Sequence, residues 1–292
     1  MRATVRSLGY AILGCADLEE WRTFAAKVLG LQVVEHTDSS IRLRMDEYLY
    51  RLQIEEGAAA GVHTLGWEVG GPDDLAELAA RAESAGYTVE RPGAAVAKDR
   101  DVTDLVRLQD PDGLVTLELF YGLTNALTNF VSPTGTRFTA SRELGLGHAF
   151  QLVGDPAAYW KLYHEVFGFR LSDHIEVGPG VDATFLHCNP RHHSFAYVPV
   201  KNDDRNRAQG VGHLMLETVD IDGVGRAIDA VQEHGAKMTA TLGKHTNDKM
   251  ISFYLQSPSG TGIEYGTAGI EVDDTTWTPT RYQSAHYWGH ER

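Results

Sequence analysis

Cysteine, basic charge and long apolar runs are all scarce in this sequence. Only Cys15 and Cys188 occur among 292 residues, so no disulfide framework is expected and the chain suits a reducing cytoplasm. Lysine and arginine number 26 against 40 aspartates and glutamates, a formal charge of -14 at neutral pH. A surface of that sign repels anionic polymers and anionic membranes at long range, so neither nucleic acid nor a membrane is the expected partner. Arg2 and Arg6 lie near the start, but the apolar run that follows, Ala11-Ile12-Leu13, is broken by Gly14 and soon by Asp17. That is too short for a secretory signal, and no stretch approaches the length of a membrane span.

What the chain does have is internal repetition. Leu8-Gly9-Tyr10, then Asp17, then Val28-Leu29-Gly30-Leu31 aligns with Leu146-Gly147-His148, then Asp155, then Val166-Phe167-Gly168-Phe169, at an offset of 138 residues. Both copies predict a short strand, a turn, a helix capped by aspartate and a glycine stop; Pro156 takes the favourable first helical position after Asp155. Weaker copies begin at Leu65-Gly66-Trp67 and Val211-Gly212-His213, with helical patterns over Asp73 to Ala85 and Ile221 to His234. Strand-rich stretches follow each helix, punctuated by turns such as Asp110-Pro111-Asp112-Gly113 and Ser257-Pro258-Ser259-Gly260. The expected fold is therefore α+β: four βαβββ modules paired into two domains, 1–132 and 140–292, each a curved mixed sheet with helices outside. The polar cluster Ser132-Pro133-Thr134-Gly135 suits the junction.

The first strands of the modules carry Tyr10, Trp67, His148 and His213 at positions that match in this alignment, so only the second pair offers imidazoles. Glu264, between apolar neighbours in Gly262-Ile263-Glu264-Tyr265-Gly266, adds a carboxylate from the last strand. Two neutral imidazoles and one carboxylate with open positions form the facial triad of non-haem iron(II) oxygenases, although zinc accepts the same ligands in hydrolytic sites. A strand histidine is more often a hydrogen-bonded core residue than a ligand, and with 13 histidines some coincidence is expected. Position within a repeat is what raises His148 and His213 above that background. Tyr10 and Trp67 read as core or pocket aromatics, which leaves the N-terminal half as a scaffold without metal.

Over essentially its whole length the chain resembles the two-domain type I extradiol dioxygenases of the vicinal oxygen chelate superfamily, the group of the 2,3-dihydroxybiphenyl dioxygenases. The resemblance is carried by Gly147-His148, Cys188-Asn189-Pro190-Arg191-His192-His193-Ser194 and Val211-Gly212-His213-Leu214-Met215-Leu216-Glu217. It continues in Thr241-Leu242-Gly243-Lys244-His245-Thr246-Asn247-Asp248, Ser252-Phe253-Tyr254, Pro258-Ser259-Gly260, Glu264-Tyr265-Gly266 and Trp288-Gly289-His290. The insert Asn202 to Gln209 departs from the pattern. The resemblance implies His148, His213 and Glu264 as ligands of Fe(II), with Mn(II) as the alternative, and O2 as co-substrate. It implies His193 as acid/base, His245 and Tyr254 as hydrogen-bonding partners of the substrate oxygens, and Asn247 and Asp248 as groups that orient the others. His193 also makes chemical sense unaided, because a catechol must lose protons to chelate a metal and an imidazole can take them near neutral pH. His192, one residue earlier, is expected to face the other side of a strand.

Phe150 and Phe185 match positions that line the pocket for a ring substituent, Phe150 being bulky there, and Ala285 is placed to return some space. The expected activity is extradiol cleavage of a 3-substituted catechol, of the 2,3-dihydroxybiphenyl type, to a 2-hydroxy-6-oxo-dienoate, by a homo-oligomer. The rivals are another metal-dependent enzyme of the superfamily, a lyase or isomerase, and a metal-free module that sequesters a small molecule. His193, His245 and Tyr254 together speak against the first, and an intact triad against the second.

Overall fold

The computed structural model describes residues 2–200 and 209–292; positions 202–208 of the insert lie outside the described residues. The first sheet comprises β1 (Ser7–Cys15), β2 (Gln32–Thr37), β3 (Ser40–Arg44), β4 (Leu52–Glu56), β5 (Gly61–Glu68), β6 (Asp104–Gln109) and β7 (Thr116–Tyr121) in the order β2-β3-β4-β1-β5-β7-β6. The second holds β8 (His148–Val153), β9 (Arg170–Gly178), β10 (Val181–His187), β11 (Phe195–Pro199), β12 (Gly210–Thr218), β13 (Met238–His245), β14 (Ile251–Gln256), β15 (Gly262–Thr267), β16 (Thr280–Tyr282) and β17 (His286–Trp288). Its order is β16-β9-β10-β11-β8-β12-β15-β14-β13-β17. Each sheet is mixed and curved, and each puts the first strands of its two modules side by side and antiparallel: β1 on β5, β8 on β12. Among the described residues no helix is long and apolar enough to cross a membrane.

The helices form where the capping signals stand. Asp17 accepts from the Glu19 and Glu20 amides at the start of α1 (Leu18–Thr23), and Asp155 from the Ala157 and Ala158 amides at the start of α4 (Pro156–Trp160). Each cap satisfies donors that would otherwise be orphaned and is worth about 1 kcal/mol. Both helices run on as a π-helical turn, Phe24–Leu29 and Lys161–Val166, and the chain then reverses at Gly30 (φ 70) and Gly168 (φ 83). The longer helices α2 (Pro72–Ser84) and α5 (Ile221–His234) cover the outside of the second module of each pair. One module is reduced: after α2 come a short helix α3 (Ala94–Asp99) and only two full strands, the remaining one shrinking to the reciprocal backbone pair Glu90–Arg107.

One apolar core runs through both halves. Trp67, fully buried, meets the rings of Tyr163, Phe169 and Phe195 edge-on, and Trp21 Nε1 donates to Ser259 Oγ across the seam at 2.8 Å. Trp67 is thus a core aromatic, and it faces the partner half.

Strand register corrects the matching of Trp67 with His213. Gly66 lies opposite both Tyr10 and Glu118, as Met215 lies opposite both His148 and Glu264. Two residues earlier on each strand stand Thr64 and His213, so Thr64 is the true counterpart of His213. The sequence alignment had slipped by three residues.

Candidate metal centre

His148 opens β8 and His213 sits on the neighbouring β12, while Glu264 lies on β15, the next strand across. Side chains of one strand alternate between faces, and the register brings all three to the same face. His148 Nε2 and His213 Nε2 are 3.2 Å apart, and Glu264 Oε2 is 3.2 Å from the first and 3.3 Å from the second. Donors bonded at about 2.1 Å and at right angles around one ion would be about 3.0 Å apart. The three atoms therefore fit one face of an octahedral divalent-metal site.

The charges fit as well. Burial pushes His148 below the usual histidine range, against the pull of Glu264. Burial would raise Glu264, but hydrogen bonds from His148, His213 and His245 hold it well below the usual carboxylate range. A neutral imidazole and an ionised carboxylate are the forms that bind metal.

Around this set the expected residues converge. Ser252 Oγ donates to Glu264 Oε1 at 2.6 Å, and His245 Nε2 lies 3.2 Å from the same oxygen, which leaves Oε2 to the two imidazoles. Ser252 was not singled out in the sequence; its place two residues before Tyr254, on the same face of β14, is the signal that could have found it. His245 is held from behind by the Ala285 carbonyl, 2.9 Å from Nδ1, and its Nε2 is 2.9 Å from Tyr254 Oη. Burial opposes protonation of His245, yet Glu264, Asp248 and the Ala285 carbonyl raise it to about 9. The Tyr254 hydroxyl is pushed well above its ordinary range by burial, then by Glu264 and Asp248. Ala285 thus lines the cavity and also anchors His245 through its backbone.

His193 lies against His148, ring centroids 3.9 Å apart. Burial pushes it well below the usual histidine range, reinforced by His148 and His192. Phe185 meets His193 edge-on at 4.9 Å. His192 departs from expectation: residues 188–194 form an irregular loop between β10 and β11, so strand alternation does not apply there. Its Nδ1 sits 3.1 Å from His193 Nδ1 instead of turning away. Phe150 lines the cavity, and it also stacks parallel on His213 at 4.9 Å and so supports that ring. Asp248 accepts from the Met250 amide and lies 3.9 Å from His193, and Asn247 is buried with its Nδ2 unpartnered.

These groups form the floor of a cavity of about 670 Å³, walled chiefly by Phe150, Leu152, Ile175, Ala183, Phe185 and Val198. An apolar chamber of this size with few polar groups at one end suits an aromatic molecule with a polar edge.

The counterpart face of the first sheet holds Tyr10, Thr64 and Glu118 instead. Tyr10 Oη donates to Glu118 Oε2 at 2.5 Å, while the Nε groups of Arg107 and Arg100 donate to Oε1 and Oε2 at 2.7 and 3.2 Å. There the protein's own cations meet the carboxylate where the second sheet presents imidazoles.

Comparison with known proteins shows the family. Residues 145–265 match the Glyoxalase/Bleomycin resistance protein/Dioxygenase superfamily, and residues 8–57 the dihydroxybiphenyl dioxygenase BphC D1 family. The chain is 35% identical to an iron-dependent extradiol dioxygenase of Rhodococcus jostii over 99% of its own length and 97% of that protein. It is 36% identical to a biphenyl-2,3-diol 1,2-dioxygenase of Paraburkholderia xenovorans, covering 99% and 96%. Among solved structures, that of a halotolerant catechol dioxygenase superposes with a TM-score of 0.91 at 34% identity, covering 99% of this chain and 95% of the other.

Proposed function

The chain belongs to the extradiol dioxygenases of the Glyoxalase/Bleomycin resistance protein/Dioxygenase superfamily, and from that premise we propose that it cleaves a 3-substituted catechol of the 2,3-dihydroxybiphenyl type. Residues 140–292 are then the catalytic domain and 1–132 a scaffold without metal. One observation carries the reading: three ligand atoms 3.2–3.3 Å apart at the polar floor of an apolar cavity.

His148, His213 and Glu264 hold the divalent metal, and iron(II) is the ion that fits a reaction with O2. When bound, it supplies the positive charge and redox chemistry that gather a catecholate and O2 at one centre. The chain's own residues do the rest. His193, kept neutral by burial, accepts a proton from the catechol hydroxyl at its free ring nitrogen and can return it as the ring opens. His245 and Tyr254, 2.9 Å apart, hydrogen-bond the substrate oxygens, and the unpartnered Asn247 Nδ2 offers one further donor. Phe150, Phe185 and Ala285 enclose the ring substituent and keep water from the reacting atoms.

The test is anaerobic reconstitution with Fe(II), then addition of 2,3-dihydroxybiphenyl and air. The expected result is a yellow ring-opened product, with one O2 consumed per catechol and one iron per chain. Iron-loaded protein that binds the catechol but forms no coloured product would overturn the proposal.

A further inference from the structure

Behind His193 lies a buried chain of hydrogen-bonding groups that the reaction as described does not use. Asp173 on β9 is fully buried. Its Oδ1 accepts from the Thr280 amide at 2.8 Å, and its Oδ2 lies 2.7 Å from His192 Nε2. His192, itself 2% exposed, then places Nδ1 3.1 Å from His193 Nδ1. The loop carrying both histidines is tied down from below, where Ser172 Oγ donates to the His192 carbonyl and lies 2.6 Å from His187 Nδ1. His192 cannot easily leave this geometry.

The hydrogen-bonding inventory sets a direction along this chain. A carboxylate accepts only, so the proton between Asp173 and His192 belongs to His192 Nε2. In a neutral His192 the lone pair is then on Nδ1, and the proton between the two imidazoles belongs to His193 Nδ1. His193 is left with its lone pair on Nε2, the nitrogen outside these contacts, in a ring that lines the cavity. We propose that Asp173 and His192 are positioning residues that lock His193 in the Nδ1–H form, so that Nε2 stands ready to receive the substrate proton. When the proton arrives on Nε2, the Nδ1–H bond to His192, backed by the Asp173 charge, steadies the imidazolium. The logic is that of a carboxylate orienting a catalytic imidazole, extended by one ring. It rests on the reading of His193 as the proton acceptor.

Asp173→Asn tests this with almost no change of shape. The Thr280 amide keeps an acceptor only if the Asn oxygen faces it, which turns the amide NH2 toward His192 Nε2. His192 must then carry its proton on Nδ1, and His193 Nδ1 becomes the acceptor, so the proton on His193 moves to Nε2. The chain is reversed and the base is blocked. Iron content and anaerobic catechol binding should match the unmodified protein, while kcat falls roughly 10²–10⁴-fold, the range for losing a positioned acid/base. In the zinc-loaded, 15N-histidine-labelled protein the His193 ring signals should switch from Nδ1–H to Nε2–H. His192→Phe breaks the chain, so Asp173→Asn added to His192→Phe should cause no further loss, because residues that act as a unit are not additive.

An unchanged kcat in Asp173→Asn, loss of iron or catechol binding along with kcat, or losses that multiply in the double variant would each overturn the proposal. His193→Gln separates it from the reading beneath. If that variant keeps full activity, His193 is not the acceptor; if it is crippled while Asp173→Asn is not, only the relay fails.

Discussion

At the residue scale the least expected contact is Phe150 on His213, two rings stacked within 2° of parallel. From the sequence, Phe150 was a bulky residue of the substituent pocket and nothing more. The stack means that one substitution has two consequences. Phe150→Val should raise kcat/KM for catechols with a large 3-substituent relative to unsubstituted catechol, by no more than about 1–3 kcal/mol, the usual worth of apolar pocket changes. It should also free the His213 ring and speed iron loss into a chelator, because groups that orient a ligand typically affect metal affinity. Measuring both on one preparation decides the matter: an unchanged specificity ratio removes Phe150 from the pocket wall, and unchanged iron release removes it from the support of His213. Neither this stack nor the Asp173–His192 pair was legible in the sequence. Both depend on how a strand and a loop from distant positions approach, which residue types and spacings do not encode.

At the scale of elements, repetition made most of the architecture readable. The Asp17 and Asp155 caps, the Gly30 and Gly168 stops and helix α5 lie where local chemistry put them, because caps and left-handed glycines are decided by a few adjacent residues. The π-helical turns and the shortened second module were not visible, since an added residue or a lost strand leaves the hydrophobic pattern almost unchanged. Register was the hardest part, and the three-residue slip on β5 hid both Thr64 and Glu118. With the register corrected, each sheet carries one buried carboxylate at the equivalent place, and their surroundings differ. Glu118 is neutralised by Arg100 and Arg107, whereas Glu264 turns one oxygen to His245 and the other to the His148 and His213 imidazoles, between which a metal ion fits. Glu264→Gln should therefore abolish iron binding, while Glu118→Gln should leave one iron per chain and lower stability instead, since the part-buried Arg100 and Arg107 lose the fully buried charge that they pair with. Elemental analysis of both variants checks this; a loss of iron in Glu118→Gln would mean that the first sheet shares in the metal site.

At the scale of the whole molecule, the two sheets behave as one body because their seam is buried and hydrogen-bonded. Asp110, at the β6–β7 turn of the first sheet, is central to it. One carboxylate oxygen accepts from the Leu114 and Val115 amides and so shapes its own turn. The other accepts from Gln151 Nε2 on β8 at 2.6 Å and from Tyr159 Oη on α4 at 2.5 Å. Burial, followed by the Asp110 charge, pushes the Tyr159 hydroxyl far above its ordinary range, so it remains a donor at any working pH. Asp110→Ala would leave the fully buried Tyr159 hydroxyl without its acceptor, whereas Gln151 Nε2 keeps Tyr159 Oη at 2.8 Å, and would also free the Leu114 and Val115 amides of the turn; each group orphaned in a buried place costs about 1–3 kcal/mol. The expected loss is about 3 kcal/mol, read as a thermal midpoint lower by several degrees. Gln151 points to the opposite face of β8 from His148 and Phe150, so at 25 °C the folded variant should keep its iron and its kcat. An unchanged midpoint would show that Asp110 adds nothing to the joining of the halves, and a fall in kcat without loss of stability would show that the seam sets the geometry of β8 at the metal centre.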